Sequence, residues 1–589
     1  MRSQTVAEDG GSIIAQVLAS YGIQQLFTLC GGHISPILVG CKRRGLQVVD
    51  VRDEASAVFA ADAVARMTGV PGVAAVTAGP GVTNVVTAVK NAQLAQSPVL
   101  VLGGATGTLL KGRGALQDID QMAIMRPLTK FASTVKRLSN LGPTVAKALD
   151  IAMSGVPGPV FVEVPVDLLY PEKIVRDLYL KESGVLKARN LGARALGLFI
   201  RGHLYRQFHQ PRLRIELPTG NVKRPWKRDK HDQISQVAAL LRGAKRPAIV
   251  IGSQSMLNCT VVDADAIARA VRSIGAPTWL GGSARGLLGR RSEIQFRHNR
   301  GAALKEADVV VVCGFPFDFR MSYGRAIGRR ATVVSANLSN SELRKNLRPD
   351  VAVKMNAGDF LRELAQHMEG PTDSWSEWFD TLRKRETARD EEITAQAATQ
   401  GELINPVHFF MRLEEKLSDD AVIVADGGDF VATASYIVRP RAPLRWLDPG
   451  VFGTLGVGGG FAIGASSVHP KAEIWLIYGD GSCGYSMAEF DTYVRHGMAP
   501  IAVIGSDGAW AQIAREQVEM LGDDVGTVLN RAPYHVVAEG YGGVGLLLTQ
   551  RDKIDETLDE AKAIAKSGRP VCINVHIAAS DFRKGSISM

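Results

Sequence analysis

Asp480 and Asp507 stand 27 residues apart, and each follows a short apolar run that reads as a buried strand. The first run, 474–478, ends in Gly479-Asp480-Gly481. The second, 501–504, leads into Ser506-Asp507-Gly508. In an open parallel sheet, ligands collect at the carboxyl ends of strands. Two carboxylates placed there suit a hard divalent cation, because Mg²⁺ takes about six oxygens and shares them among protein, phosphate and water. Gly479 and Gly481 permit a tight turn and a close approach. A helix expected over 487–495 would offer its amino end to the same place, which suits a phosphate. A lone Gly-Asp-Gly reads as an ordinary β-turn. The second strand-end aspartate shifts the reading to a metal that ties the protein to a diphosphate. The glycine run 452–465 contains loose Gly-x-Gly patterns, but it lacks the preceding strand and later acidic residue of a dinucleotide fingerprint. It is expected to be a glycine-rich helix start beside the ligand.

The elements that position these turns form three α/β blocks. In the first, residues 1–178, apolar runs at 47–51, 73–77, 99–102 and 160–164 alternate with helical patterns at 55–67 and 83–95. Such alternation predicts a mostly parallel sheet covered by helices. Residues 179–235 are a basic insertion or linker, 236–368 a central α/β domain, 369–400 a charged helical linker, and 401–589 the block that carries the aspartates. The expected fold class is α/β, with three doubly wound parallel-sheet domains. A length of 589 residues and a charged fraction of 22% suit a soluble globular protein of roughly three to four domains.

The formal net charge is +10, yet residues 187–230 alone hold twelve Lys/Arg against two Asp/Glu. The rest is near neutral, which argues against a nucleic-acid enzyme with a basic groove throughout. Within that stretch, Leu196, Phe199, Ile200, Leu204 and Phe208 fall near helical spacing, and Arg194 and Arg201 lie a heptad apart. An ordinary connecting helix fits 191–208, and so does an interfacial helix on an anionic membrane. No apolar run approaches 18 residues, so no membrane span is expected. Six scattered cysteines without a Cys-x-x-Cys pair favour a reducing compartment.

Several linked stretches carry a family resemblance. "DEASAVFAADAVARMTG" at 53–69, "TAGPGVTNVVTAVKNAQLAQSPVLVLGG" at 77–104 and the Gly-Asp-Gly turn occur in the order found in thiamin-diphosphate-dependent enzymes of the acetolactate synthase and benzaldehyde lyase group. The chain resembles that group over its whole length apart from 179–235. The resemblance implies a pyrimidine-binding domain, a central domain and a diphosphate-binding domain. It also implies thiamin diphosphate and Mg²⁺ as cofactors, with the cofactor held between the first domain of one subunit and the third of another. A homodimer is then the minimum active unit, and a homotetramer is the alternative. FAD or ADP in the central domain is a further possibility that the family raises.

Site residues follow from the same resemblance. Glu54 is the expected carboxyl group that shares its proton with N1′ of the cofactor's pyrimidine, while Arg52 and Asp53 beside it read as solvated. Gly453 would accept from the 4′-amino group through its carbonyl, and Leu455 would wedge the cofactor into its bent shape. Gly428, Asp429, Phe430, Gly481 and Ser482 would meet the diphosphate. Asp480, Asp507 and the carbonyl of Ala509 would be the metal ligands. By the resemblance, relatives usually carry Asn where Asp507 stands, and the extra charge should strengthen Mg²⁺ binding while repelling the diphosphate slightly. His33 and Gln117 match polar active-site residues, and His33 suits movement of a substrate-hydroxyl proton. Trp510 is expected either against the substrate or in the core.

"GGHISP", "RWLDPG" and "FGTLGVG" resemble an animal branch of the group that cleaves 2-hydroxyacyl-CoA thioesters. The expected reaction gives an aldehyde one carbon shorter and formyl-CoA, with Arg285, Arg290 and Arg291 meeting CoA phosphates or forming a solvated loop. Acetolactate-synthase-like condensation of 2-oxo acids and a catalytically silent scaffold are the alternatives. The branch implies association with the endoplasmic reticulum through an amino-terminal anchor. This sequence begins "MRSQTVAEDGG", so loss of an anchor or a cytoplasmic protein are both expected readings.

Overall fold

The computed structural model describes residues 9–185, 191–209 and 231–583. Every named strand pairs in parallel, in three sheets. The first sheet has the order β2-β1-β3-β4-β6-β5. Its strands are β1 (Gln25–Thr28), β2 (Gln47–Asp50), β3 (Gly72–Val76), β4 (Val99–Ala105), β5 (Phe131–Thr134) and β6 (Val160–Pro165). The second has the order β11-β10-β9-β7-β8, from β7 (Pro247–Ile251), β8 (Thr278–Leu280), β9 (Val309–Cys313), β10 (Thr332–Ala336) and β11 (Val351–Val353). The third has the order β13-β12-β14-β15-β17-β16. It contains β12 (Val422–Ala425), β13 (Trp446–Leu447), β14 (Ile474–Gly479), β15 (Ile501–Ser506), β16 (Val544–Leu548) and β17 (Val571–His576).

Central strands such as β3, β4, β9 and β14 are buried almost throughout. Helices cover both faces of a parallel sheet, so its central strands read as unbroken apolar runs rather than alternating ones. That is why the α/β expectation holds. The chain packs as two compact units, residues 1–65 with 70–224, and 66–69 with 225–589. The first unit holds the first sheet, and the second holds the other two. The stretch 369–400 contains one long helix, Ser376–Ala398.

Two local expectations change. No helix begins at 487. A single turn, Asp480–Cys483, follows β14 directly, and a short helix, Glu489–Arg495, comes after it. Neither has the length of a helix that concentrates a dipole on an anion, so that part of the phosphate argument falls. In the helix Leu191–Phe208, Ile200 and Leu204 are buried, but Leu196 and Phe199 are exposed. Gly197 lies on the inner side, and the docking face runs through 197, 200, 204 and 207. Among the described residues, no helix is long and apolar enough to cross a membrane.

Candidate functional site

At the carboxyl edge of the first sheet, three side chains from separate segments meet the turn after β3. Glu54 opens the helix Glu54–Thr68 and is buried, whereas Arg52 and Asp53 just before it are exposed. Its Oε2 accepts from Asn84 Nδ2 at 3.0 Å. A Cβ on Gly81 would sit 3.4 Å from Glu54 Oε1, so the Gly79-Pro80-Gly81 turn runs against the carboxyl group. His33 follows β1, and its Nδ1 lies 3.3 Å from Thr77 Oγ1. Burial holds the imidazole below its ordinary 6.5, so it is neutral at pH 7. Gln117 sits in the long loop after β4 with φ +64°, and Gly79 (φ +65°) leaves it room, because a Cβ there would fall 2.9 Å from Gln117 Cβ.

Sequence reasoning passed over the residue that fastens this edge. Gln121 is buried, accepts from Gly79 N at 2.9 Å, and donates to Gly104 O at 2.9 Å and Glu163 Oε1 at 3.0 Å. Glu163 within β6 also accepts from Lys111 Nζ at 2.9 Å and Thr134 Oγ1 at 2.7 Å. The loop that carries Gln117 is thus pinned at Lys111 and Gln121. Nothing in the spacing marks Gln121, because its partners come from three other segments.

The third sheet places its aspartates as the spacing implies. β14 and β15 are neighbours, with Gly479 opposite Gly505. Asp480 Oδ1 accepts from Gly481 N at 2.9 Å, and Oδ2 accepts from Gly508 N at 2.8 Å, which ties the two strand-end turns together. Asp507 Oδ1 accepts from Ala509 N at 3.1 Å. Burial raises the Asp480 carboxyl above the usual range against the pull of those N–H groups. Burial first, and then the charge of Asp480, push Asp507 up to about 7. Two carboxyls, one buried and one half-buried, that resist joint ionisation are stabilised by a cation between them, so the donor set fits Mg²⁺.

Other candidates divide by what their side chains do. Gly428 (φ +105°) and Gly453 (φ +64°) both face open space where a Cβ would stand, as a cofactor cradle requires. Leu455 packs on Gly427, whose Cβ would fall 2.3 Å from Leu455 Cδ2. Trp510 covers Gly481 in the same way, 2.3 Å from a would-be Cβ, and is half-buried rather than in the core. Ser482 Oγ both accepts from Gly479 N and donates to Gly479 O, so its hydroxyl serves the turn. The Phe430 ring is buried against Gly505 and lies tilted beside the Phe410 ring with centroids 4.4 Å apart, so only its backbone is left to meet a diphosphate. Asp429 forms a two-pronged ion pair with Arg515. Asp426, which spacing did not single out, accepts from Gly456 N at 3.0 Å and Gly458 N at 2.7 Å, and burial pushes it up to about 7. It holds the turn that presents Leu455.

The second unit also contains a cavity of about 580 Å³ between the second sheet's loops and the segment 435–440. Arg285, Arg290, Arg297, Arg300, Arg320, Arg389 and Arg439 line it. Burial, followed by the charge of Arg439, lowers Arg297 to about 10. Of the three arginines expected to face phosphates, Arg285 donates to Ser435 O at 2.6 Å and lies over the Trp446 ring. Arg290 pairs with Glu414 at 3.1 Å, and Arg291 is exposed and does not line the cavity. Arg320, Arg389 and Arg439 pair with Asp318, Glu392 and Asp390, and the arginines that remain suit an anionic ligand.

Family models of thiamine pyrophosphate enzymes match the N-terminal TPP binding domain over residues 8–124, the central domain over 234–364 and the C-terminal TPP binding domain over 426–575. The chain belongs to the thiamine pyrophosphate enzymes. Within them, it is 48% identical to 2-hydroxyacyl-CoA lyase 2 of Danio rerio over 98% of this chain and 93% of that protein. The 2-hydroxyacyl-CoA lyase 2 of Homo sapiens is 45% identical over 98% and 92%. A probable acetolactate synthase of Mycobacterium bovis is 34% identical over 96% and 95%.

Proposed function

We propose that the chain is a thiamin-diphosphate- and Mg²⁺-dependent carbon–carbon lyase that cleaves a 2-hydroxyacyl-CoA into an aldehyde one carbon shorter and formyl-CoA. The observation that carries the substrate class is the 45–48% identity to 2-hydroxyacyl-CoA lyases along nearly the full length of both proteins. The retained site supports catalysis. When bound, the cofactor's thiazolium supplies the electron sink for breaking the C1–C2 bond.

In this reading Glu54 holds the proton shared with N1′ of the pyrimidine, and its burial beside the Gly-Pro-Gly turn keeps water from that hydrogen bond. The Gly453 carbonyl would accept from the cofactor's 4′-amino group, and Leu455, braced by Gly427, would pack against the cofactor. Asp480, Asp507 and the Ala509 carbonyl hold Mg²⁺. Gly428, Phe430, Gly481 and Ser482 meet the diphosphate through backbone groups, and Asp429 acts by fixing Arg515. His33, neutral at pH 7, takes the proton of the substrate hydroxyl, and Gln117 orients that group. The arginine-lined cavity takes the nucleotide end of CoA. A homodimer completes each site, with a homotetramer as the larger alternative. By resemblance, the protein acts at the endoplasmic reticulum, with the cytoplasm as the alternative.

Purified protein supplied with Mg²⁺, thiamin diphosphate and a long-chain 2-hydroxyacyl-CoA should release equal amounts of aldehyde and formyl-CoA. No aldehyde from a sample shown to bind the cofactor would sink the substrate assignment. The second reading, condensation of 2-oxo acids, draws on the 34% identity to an acetolactate synthase and on a cavity that could accept a flavin nucleotide. Tightly bound yellow flavin together with acetolactate formed from pyruvate would favour it.

A further inference from the structure

The helix Leu191–Phe208 is fastened along one side and bare along the other. On the inner side, Ile200 and Leu204 pack with Val175, Tyr179 and Leu180. Gln207 Nε2 donates to Thr108 Oγ1 at 2.7 Å, and His203 Nε2 lies 2.9 Å from the same oxygen. These contacts hold the helix as a firm platform. On the outer side, Leu191, Leu198 and Tyr205 recur every seven residues and are 83%, 71% and 63% exposed. Seven residues are close to two turns, so these side chains stand in one row. Phe199 widens the row at 58% exposed. Arg194 and Arg201 flank it on one side and Arg206 on the other. The helix contains no acidic residue, and among the described residues none of the three arginines has a carboxylate partner.

We propose that this face lies in the headgroup region of an anionic lipid surface. Large apolar side chains exposed side by side on one helix face and rimmed by arginines have the pattern of an interaction surface rather than of singly scattered residues. An interfacial helix buries such a row at the acyl boundary, while arginines on its flanks reach up to phosphate groups. The charge argues against a second copy of the chain as the occupant. A two-fold contact through this face would bring the arginine flanks of both copies together, and the helix itself offers no carboxylate to offset them. The helix lies on the membrane rather than through it, since it is not apolar enough to cross. This proposal does not depend on the substrate assignment.

Co-sedimentation of the full chain with vesicles tests it. The protein is expected to bind phosphatidylcholine vesicles that contain phosphatidylserine, to bind phosphatidylcholine alone far less, and to be released by salt. Replacing Arg194, Arg201 and Arg206 together with Gln should lower the vesicle partition coefficient on the order of 100-fold. Leu198→Asp with Phe199→Asp should abolish binding while leaving the mass in solution unchanged. Failure of the parent to bind phosphatidylserine vesicles overturns the proposal, and so does binding that survives both sets of changes. A fall in oligomer mass in the Asp variant would instead assign the face to a second copy. If the Asp variant does not fold, the arginine variant decides.

Discussion

Strand for strand, the first sheet (β2-β1-β3-β4-β6-β5) and the third (β13-β12-β14-β15-β17-β16) follow the same order. Each turn at the carboxyl edge of one therefore has a counterpart in the other. After β3 the first sheet carries Gly79-Pro80-Gly81, and after β14 the third carries Gly479-Asp480-Gly481. Past β1 stands neutral His33, and past β12 stand Asp426 and Asp429. The segment after β2 presents Glu54, and the one after β13 presents the open Gly453. After β4 a long loop brings Gln117, while after β15 a tight turn brings Asp507. Topology decides where a ligand goes, and the turn residues decide what is done with it. In the proposed reaction the first edge would handle protons. The third holds charge and leaves open glycine backbone.

If that division is right, changes at the two edges should fail in different ways. Glu54→Gln should lose on the order of 10²–10⁴-fold in kcat while the protein still binds thiamin diphosphate and Mg²⁺, as read by calorimetry. A variant that loses the cofactor as well would put Glu54 in the binding machinery and blur the comparison. Asp480→Ala should do the reverse. Cofactor affinity should fall roughly 100-fold, at the upper range seen for weakened metal sites, and excess Mg²⁺ should restore part of the activity. A large loss of kcat at saturating cofactor would count against a holding role for that carboxylate.

His33 gives a smaller effect with a sign that can be checked. Burial places its imidazole below 6.5. As a proton acceptor it must be neutral, so with Mg²⁺ and cofactor saturating kcat/KM should be level above pH 6.5 and fall only as pH drops through the lowered value. His33→Gln should lose roughly 100-fold, the low end for a positioned general base, and its remaining activity should lack that acid limb. An unchanged limb would show that another group titrates there.

Much of this arrangement could be read from the chain, and the unread parts share a cause. Apolar runs such as those of β4, β9 and β14 announce buried parallel strands, and the strand-end aspartates can be placed from them. Asp426 could not be recognised, because its role lies in accepting from Gly456 and Gly458, some thirty residues away, which only the fold brings close. Phe430 was placed by motif at a diphosphate, but packing against Gly505 takes its ring into the core. In the helix Leu191–Phe208, spacing reveals periodicity without revealing which stripe faces inward. Gln207 and His203 decide that through Thr108, a residue nearly a hundred positions earlier.

Asp507→Asn is the mildest change and the sharpest test of the third edge. Losing the charge should weaken Mg²⁺, yet it also removes repulsion of the diphosphate, and the amide oxygen remains a ligand. The two effects oppose each other, so cofactor affinity at pH 8 should change less than about tenfold, under about 1.4 kcal/mol. The pH dependence should separate the proteins. In the metal-free parent Asp507 titrates at about 7 because of burial and Asp480. Metal binding must displace that proton, so Mg²⁺ affinity should rise with pH through about 7 and release protons below it. The Asn variant has no such proton to lose, and its Mg²⁺ affinity should be flatter across the same range. Equal slopes for the two proteins would remove Asp507 from the metal site and leave Asp480 to hold the cation without it.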